Sequence, residues 1–267
     1  AVINYISQIF TPVESLGMEI QTIQSAVAGV RRINEFLSQS EPAPRKPVSL
    51  PANLPAGQPQ VELRNVAFGY DDHTVLQSIC LQVQAGEQVT LAGRTGAGKS
   101  TVFKLLLGLY APQSGSMLIE GVPPADIADQ DRRALFGYVE QRFHQVPGTV
   151  RDQITLYDPA ISDQAVRTAT KLAGLSDTIE SLPQGYDTPC TPELFSQGQW
   201  QLLSIARATA ADPRILLLDE ITANLDAETE NTVLQALRRV SADRTVISIS
   251  HRTGAQTGRV IPIEPAH

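Results

Sequence analysis

The stretch Gly93-Arg94-Thr95-Gly96-Ala97-Gly98-Lys99-Ser100-Thr101 is a complete G-x-x-x-x-G-K-S/T run, and its reading decides the fold around it. Glycines let the backbone turn so tightly that successive N–H groups point inward, making a cradle for phosphate oxygens that side chains would obstruct. Lys99 adds a point charge suited to the β- and γ-phosphates of a nucleoside triphosphate, and the Ser100 hydroxyl is suited to Mg2+. A helix opening near Lys99 turns its dipole toward the same anion. Working outward, Gln88-Val89-Thr90-Leu91-Ala92 reads as a short buried strand, and Val102-Phe103-Lys104-Leu105-Leu106-Leu107 as a helix with an apolar face. Strand, loop and helix follow in the order the phosphate loop requires.

A second element lies downstream at Ile215-Leu216-Leu217-Leu218-Asp219-Glu220, where apolar residues deliver two adjacent carboxylates to a strand end. Successive strand residues point to opposite faces, so the two acids are expected to have different tasks. Asp219 suits the Mg2+ shell and Glu220 suits an attacking water.

Between these elements stands Leu194-Phe195-Ser196-Gln197-Gly198-Gln199, followed by the helical pattern Trp200-Gln201-Leu202-Leu203-Ser204-Ile205-Ala206-Arg207-Ala208. Here the chain resembles the ATP-binding cassette (ABC) family, whose signature Leu-Ser-Gly-Gly-Gln opens a helix about twenty residues before the acidic strand end. Further matches follow in family order: Tyr70 after Phe68-Gly69, Gln141 after a short apolar strand, Asn224-Leu225-Asp226 after the acid pair, and His251 after Val246-Ile247-Ser248-Ile249-Ser250. The resemblance covers roughly residues 60 to 264.

It implies an α/β fold: a P-loop NTPase core of mixed sheet flanked by helices, with a helical subdomain at about 142–209 and an antiparallel β subdomain. It also implies ATP and Mg2+ as ligands, with Tyr70 stacking on adenine and residues 93–101 cradling the phosphates. Ser100, Gln141 and Asp219 would hold the metal. Glu220, His251 and Gln141 would act in hydrolysis, while Ser196, Gln197, Gly198, Gln199 and Asp226 would complete the site of a second ABC domain. Ser196 also reads as a helix N-cap, a role compatible with anion binding. Two departures from the family pattern are Phe195 for Leu and Gln197 for Gly. The stretch Thr188-Pro189-Cys190-Thr191-Pro192-Glu193 lacks the Gly-Glu-x-Gly element of exporters.

Composition agrees with this reading. At 267 residues and 42% hydrophobic, the chain is long enough for one large core and a smaller lobe. A formal charge of −7 argues against nucleic acid as a partner, since phosphate-backbone binders carry basic patches. Cys80 and Cys190 lack metal-ligand spacing and read as reduced thiols. No apolar run reaches the roughly eighteen residues that a membrane helix needs, so the fragment reads as soluble.

The first forty residues nonetheless point to a membrane neighbour. Thr11-Pro12-Val13-Glu14 reads as a helix start, and Val13, Leu16, Ile20, Ile23, Val27, Val30 and Leu37 recur on one helical face. The segment resembles the cytoplasmic end of the last transmembrane helix of ABC exporter subunits, which implies a transmembrane domain upstream in the same polypeptide and a place on the cytoplasmic side of the membrane. Residues 41–59 carry Pro42, Pro44, Pro47, Pro51, Pro55 and Pro59 and read as an extended linker. The cassette is expected over 60–267. The function implied is an ATP-hydrolysing motor domain of an exporter; the alternatives are a regulatory half of a heterodimer with little turnover and a soluble non-transport ABC ATPase.

Overall fold

The computed structural model describes residues 2–38, 47–51, 54–55, 57–71, 73–221, 225–250 and 258–265. The chain divides into two units, Ala1–Arg45 and Lys46–His267. The first holds helix α1 (Val2–Leu37), of 36 residues. It passes through Thr11-Pro12, so the expected start at Thr11 is not one. Proline removes one backbone donor from a helix, and one missing bond does not stop a helix that has many others. The apolar residues from Leu16 to Leu37 along this helix are exposed. Among the described residues no helix is long and apolar enough to cross a membrane.

The second unit alternates strands and helices: β1 (Val61–Tyr70), β2 (His73–Val83), β3 (Gln88–Ala92), α2 (Lys99–Leu106), β4 (Ser114–Ile119), α3 (Asp129–Leu135) and β5 (Phe136–Val139). Four helices follow, α4 (Val150–Thr155), α5 (Asp163–Ala173), α6 (Ser176–Glu180) and α7 (Gln197–Thr209). The chain then returns through β6 (Ile215–Asp219), α8 (Ala227–Ser241), β7 (Thr245–Ile249) and β8 (Arg259–Pro262). The expected mixed character resolves into two sheets. One is antiparallel, in the order β2-β1-β4; the other is a five-stranded sheet, β5-β6-β7-β3-β8, with every pairing parallel.

A parallel sheet is covered on both faces, so its strands are apolar throughout and the pleat distributes them between two cores. Ile215 and Leu217 of β6 join β1, β3, β4 and α2 in one cluster, whereas Leu216 and Leu218 join α4, α5, α7 and α8 in the other. Asp219, two residues beyond Leu217, therefore faces the α2 side.

A buried polar network ties the sheets together. The Gln60 amide donates to Glu120 at 2.8 Å, and Arg214 pairs with the same carboxylate at 2.7 Å. Thr245 reaches Gln60 with its hydroxyl and accepts from the Gly86 N–H at 2.8 Å. Within the stretch expected as a linker, Val48 bridges Ile127 and the Leu50 N–H donates to Asp131 at 3.2 Å. Much of residues 41–59 lies outside the described residues.

Candidate active site

The phosphate loop leaves β3 and enters α2 through two left-handed glycines, Gly96 (φ 84°) and Gly98 (φ 90°). A Cβ on Gly98 would also lie 2.6 Å from Leu76 Cδ2, so glycine is required there twice over. Arg94, Thr95, Gly96 and Ser100 are exposed, while Ala97, Lys99 and Thr101 are buried. The Lys99 ammonium donates to the carbonyls of Gly93 at 3.0 Å and Arg94 at 2.9 Å. Burial pushes its pKa down, and the nearby Glu220 and Asp219 carboxylates push back. The loop lysine and both acids thus share one electrostatic site, with β7 between the strands that carry them.

Asp219 ends β6. Burial raises its pKa, Glu220 raises it further, and hydrogen bonds from Tyr138 and Ser100 oppose the rise. The Tyr138 hydroxyl donates to Asp219 Oδ2 at 3.1 Å. Burial and the facing Asp219 push the Tyr138 phenol up, so it stays a donor. Glu220 lies past the strand end, in the left-handed region (φ 47°), with its N–H donating to the Ile249 carbonyl at 3.2 Å. The strand ends at Asp219, so strand alternation does not govern Glu220, whose backbone enters the left-handed region instead. A non-glycine residue in that region carries strain, which the bond to β7 helps to hold.

Tyr70 ends β1. Its ring meets Phe68 and Tyr110 edge-on, with centroids 5.0 and 5.4 Å away, and the Lys104 ammonium lies 5.3 Å from its centroid. Its hydroxyl is buried without a partner among the described residues. The residue expected to stack on adenine therefore already has a cation over its ring. Gln141 follows β5 with an exposed side chain, and its carbonyl accepts from Gln201 Nε2 at 3.0 Å. The structure brings the backbone of Gln141 under α7 rather than its amide to Asp219.

Ser196 is the N-cap of α7 and shares a capping box with Gln199. Gln197 is exposed and Gly198 is buried. Asp226 caps α8, accepting from the Glu228 and Thr229 N–H groups and from the Thr229 hydroxyl. Thr229 also packs on Gly198, where a Cβ would come within 2.3 Å of its Cγ2. Thr229 thus links the start of α7 at Gly198 to Asp226 at the cap of α8. His251 and Asn224 lie outside the described residues.

Sequence reasoning missed Tyr138, Lys104, Gln201 and Thr229. Each acts through a neighbour distant in sequence, a relation no local motif records. The alternation of β5 marks Tyr138 only once its pairing with β6 is known.

The family described as ABC transporter matches residues 76–223. An uncharacterized ABC transporter ATP-binding protein of Bacillus subtilis, YfiC, is 38% identical over 252 residues, covering 93% of this chain and 41% of its own length. The ATM1-type heavy metal exporter of Novosphingobium aromaticivorans is 36% identical over 252 residues, with coverage of 93% and 41%. The alpha-hemolysin translocation ATP-binding protein HlyB of Escherichia coli O157:H7 is 36% identical over 264 residues, with coverage of 96% and 37%. Among solved structures, a bacterial Atm1-family ABC exporter with ATP bound superposes with a TM-score of 0.72 at 33% identity, covering 98% of this chain and 47% of that one. The chain spans about two fifths of the length of these curated relatives.

Proposed function

Because the chain belongs to the ABC transporter family of ATP-binding proteins, we propose that it is the ATP-hydrolysing motor domain of an exporter, working as a pair of such domains on the cytoplasmic side of a membrane and attached to a transmembrane domain. The observation that carries this reading is the convergence of Lys99, Ser100, Asp219 and Glu220 at the carboxyl edge of the parallel sheet. An ammonium, a hydroxyl and a half-buried carboxylate are the donor set that fits a triphosphate with Mg2+. The exporter assignment is supported by the ATM1-type and HlyB relatives and by α1, whose exposed apolar residues occupy the segment resembling the end of a transmembrane helix.

In this reading Lys99 exchanges the carbonyls of Gly93 and Arg94 for phosphate oxygens, and the loop N–H groups together with the α2 N-terminus take the remaining charge. Ser100 and Asp219 would hold Mg2+, and Gln141, whose exposed side chain follows β5, would have to swing inward to join the same shell. When bound, the ion neutralises charge on the phosphates. Glu220 orients and deprotonates the attacking water, and His251 aligns it. Tyr70 stacks on the adenine, with Lys104 at the edge of that site. Ser196, Gln197, Gly198, Gln199 and Asp226 close on the site of the second domain. Ser196 Oγ accepts one bond, from the Gln199 N–H, and its hydroxyl proton is left to donate to a phosphate.

The test separates binding from turnover. Lys99→Ala should weaken ATP binding, and Glu220→Gln should retain binding while nearly abolishing hydrolysis. Mixing Ser196→Arg protein with Lys99→Ala protein should restore one working site if the chain pairs with itself. Glu220→Gln protein that turns over at the unaltered rate would remove Glu220 as the base.

A further inference from the structure

Asp219 is reached from an element that the phosphate-loop reading leaves without a task. In the β5–β6 ladder Tyr138 stands opposite Leu217. Asp219 lies two residues further along β6, on the same face, an offset of about 6.6 Å at roughly 3.3 Å per residue. A phenol spans that gap, and its hydroxyl arrives at Asp219 Oδ2, 3.1 Å away. The ring is held in place by Phe103, which meets it edge-on at 6.1 Å and 86°. Phe103 is only 1% exposed and lies on α2, three residues after Ser100 and four after Lys99. One helix therefore presents the lysine and serine of the phosphate site and, one turn later, braces the phenol that holds the carboxylate.

We propose that Tyr138 is a positioning residue, fixing the Asp219 carboxylate in the orientation that Mg2+ binding requires. The proposal rests on the reading of Asp219 as a metal residue. A phenol can only donate to an ionised carboxylate, so it occupies one oxygen and leaves the remaining lone pairs for the Ser100 hydroxyl and the ion. Without that donor a half-buried carboxylate is free to turn toward other partners, and ordering it falls to the ion at the moment of binding. The consequence is specific: loss of the hydroxyl weakens the metal and spares metal-free nucleotide binding.

Tyr138→Phe keeps the ring and its contact with Phe103 and removes the hydroxyl alone. Mn2+ binding, titrated by electron paramagnetic resonance with saturating ATPγS, should weaken by roughly tenfold, the factor expected of one charge-assisted hydrogen bond. Affinity for mant-ATP in EDTA should match that of the unaltered protein. Equal losses of mant-ATP affinity with and without divalent ion would mark Tyr138 as a packing residue and overturn the proposal. So would unchanged Mn2+ binding in Tyr138→Phe beside weakened binding in Asp219→Asn, a result that leaves Asp219 as the metal residue. Unchanged Mn2+ binding in both variants would overturn the metal assignment together with the proposal.

Discussion

Replacing Gly198 by alanine sets helix propensity against tertiary contact. Gly198 lies in the first turn of α7, and its φ is not positive, so its backbone is open to any residue. On propensity alone Gly198→Ala should stabilise by about 1 kcal/mol. The structure predicts the opposite. A Cβ at that position would lie 2.3 Å from Thr229 Cγ2, more than 1 Å inside the roughly 3.5–4.0 Å at which carbon atoms rest. Thr229 could rotate away only by withdrawing its hydroxyl from Asp226, to which it donates at 2.6 Å. That bond belongs to the cap of α8, so the rotation would loosen the helix start. Shifting α7 against α8 instead is overpacking, at about 1–3 kcal/mol. Set against the propensity gain, the expected net loss is up to about 2 kcal/mol.

Thr229→Ser removes Cγ2 and keeps the hydroxyl. The next contacts of an added Cβ, at 3.6 and 3.8 Å, are ordinary. By itself Thr229→Ser should cost at most about 0.8 kcal/mol, the value of one buried methylene. Together with Gly198→Ala it should restore most of the lost stability. Urea denaturation followed by the fluorescence of Trp200, the only tryptophan and itself in α7, measures all four proteins of the cycle. Stability rather than ATPase rate is the readout, because Gly198 is also placed in the site of the second domain. A Gly198→Ala protein as stable as the original, or a double variant no more stable than Gly198→Ala, would refute the contact argument.

Three further outcomes are expected. The buried Tyr70 hydroxyl has no partner among the described residues, so Tyr70→Phe should leave stability and ATP affinity unchanged or slightly improved, whereas Tyr70→Ala should raise the ATP dissociation constant by up to about tenfold; titration with a fluorescent nucleotide decides. Arg214→Met leaves the Glu120 carboxylate, 2% exposed, with its charge uncompensated and the Gln60 amide as its remaining donor, and should cost about 2–4 kcal/mol in urea denaturation, with Arg214→Met/Glu120→Gln losing less. The Thr229 hydroxyl and N–H hold the Asp226 carboxyl below its usual range. The resulting stability is complete above the ordinary carboxylate value and is lost as pH falls through the lower folded value. Asp226→Asn should therefore flatten the acid limb of the denaturation midpoint against pH, and an unchanged limb would remove the cap from the explanation.

Whatever rests on a short run of residues was legible without coordinates. The phosphate loop, its flanking strand and helix, the acidic end of β6 and the Ser196 cap depend on local backbone geometry, and local geometry is written in adjacent side chains. The start of α1 was misplaced because Thr11-Pro12 satisfies the local rules for a helix start, yet the same residues are tolerated inside a longer helix. The backbone of Glu220 was not legible: no motif reveals that β6 stops at Asp219 and that β7 holds Glu220 in the left-handed region. Tyr138 opposite Leu217, Lys104 over Tyr70, and Thr229 between Gly198 and Asp226 belong to pairings across strands and helices. Tertiary packing alone decides these, because register and interhelical approach are set by the two cores on either side of the parallel sheet and not by any residue's neighbours in sequence.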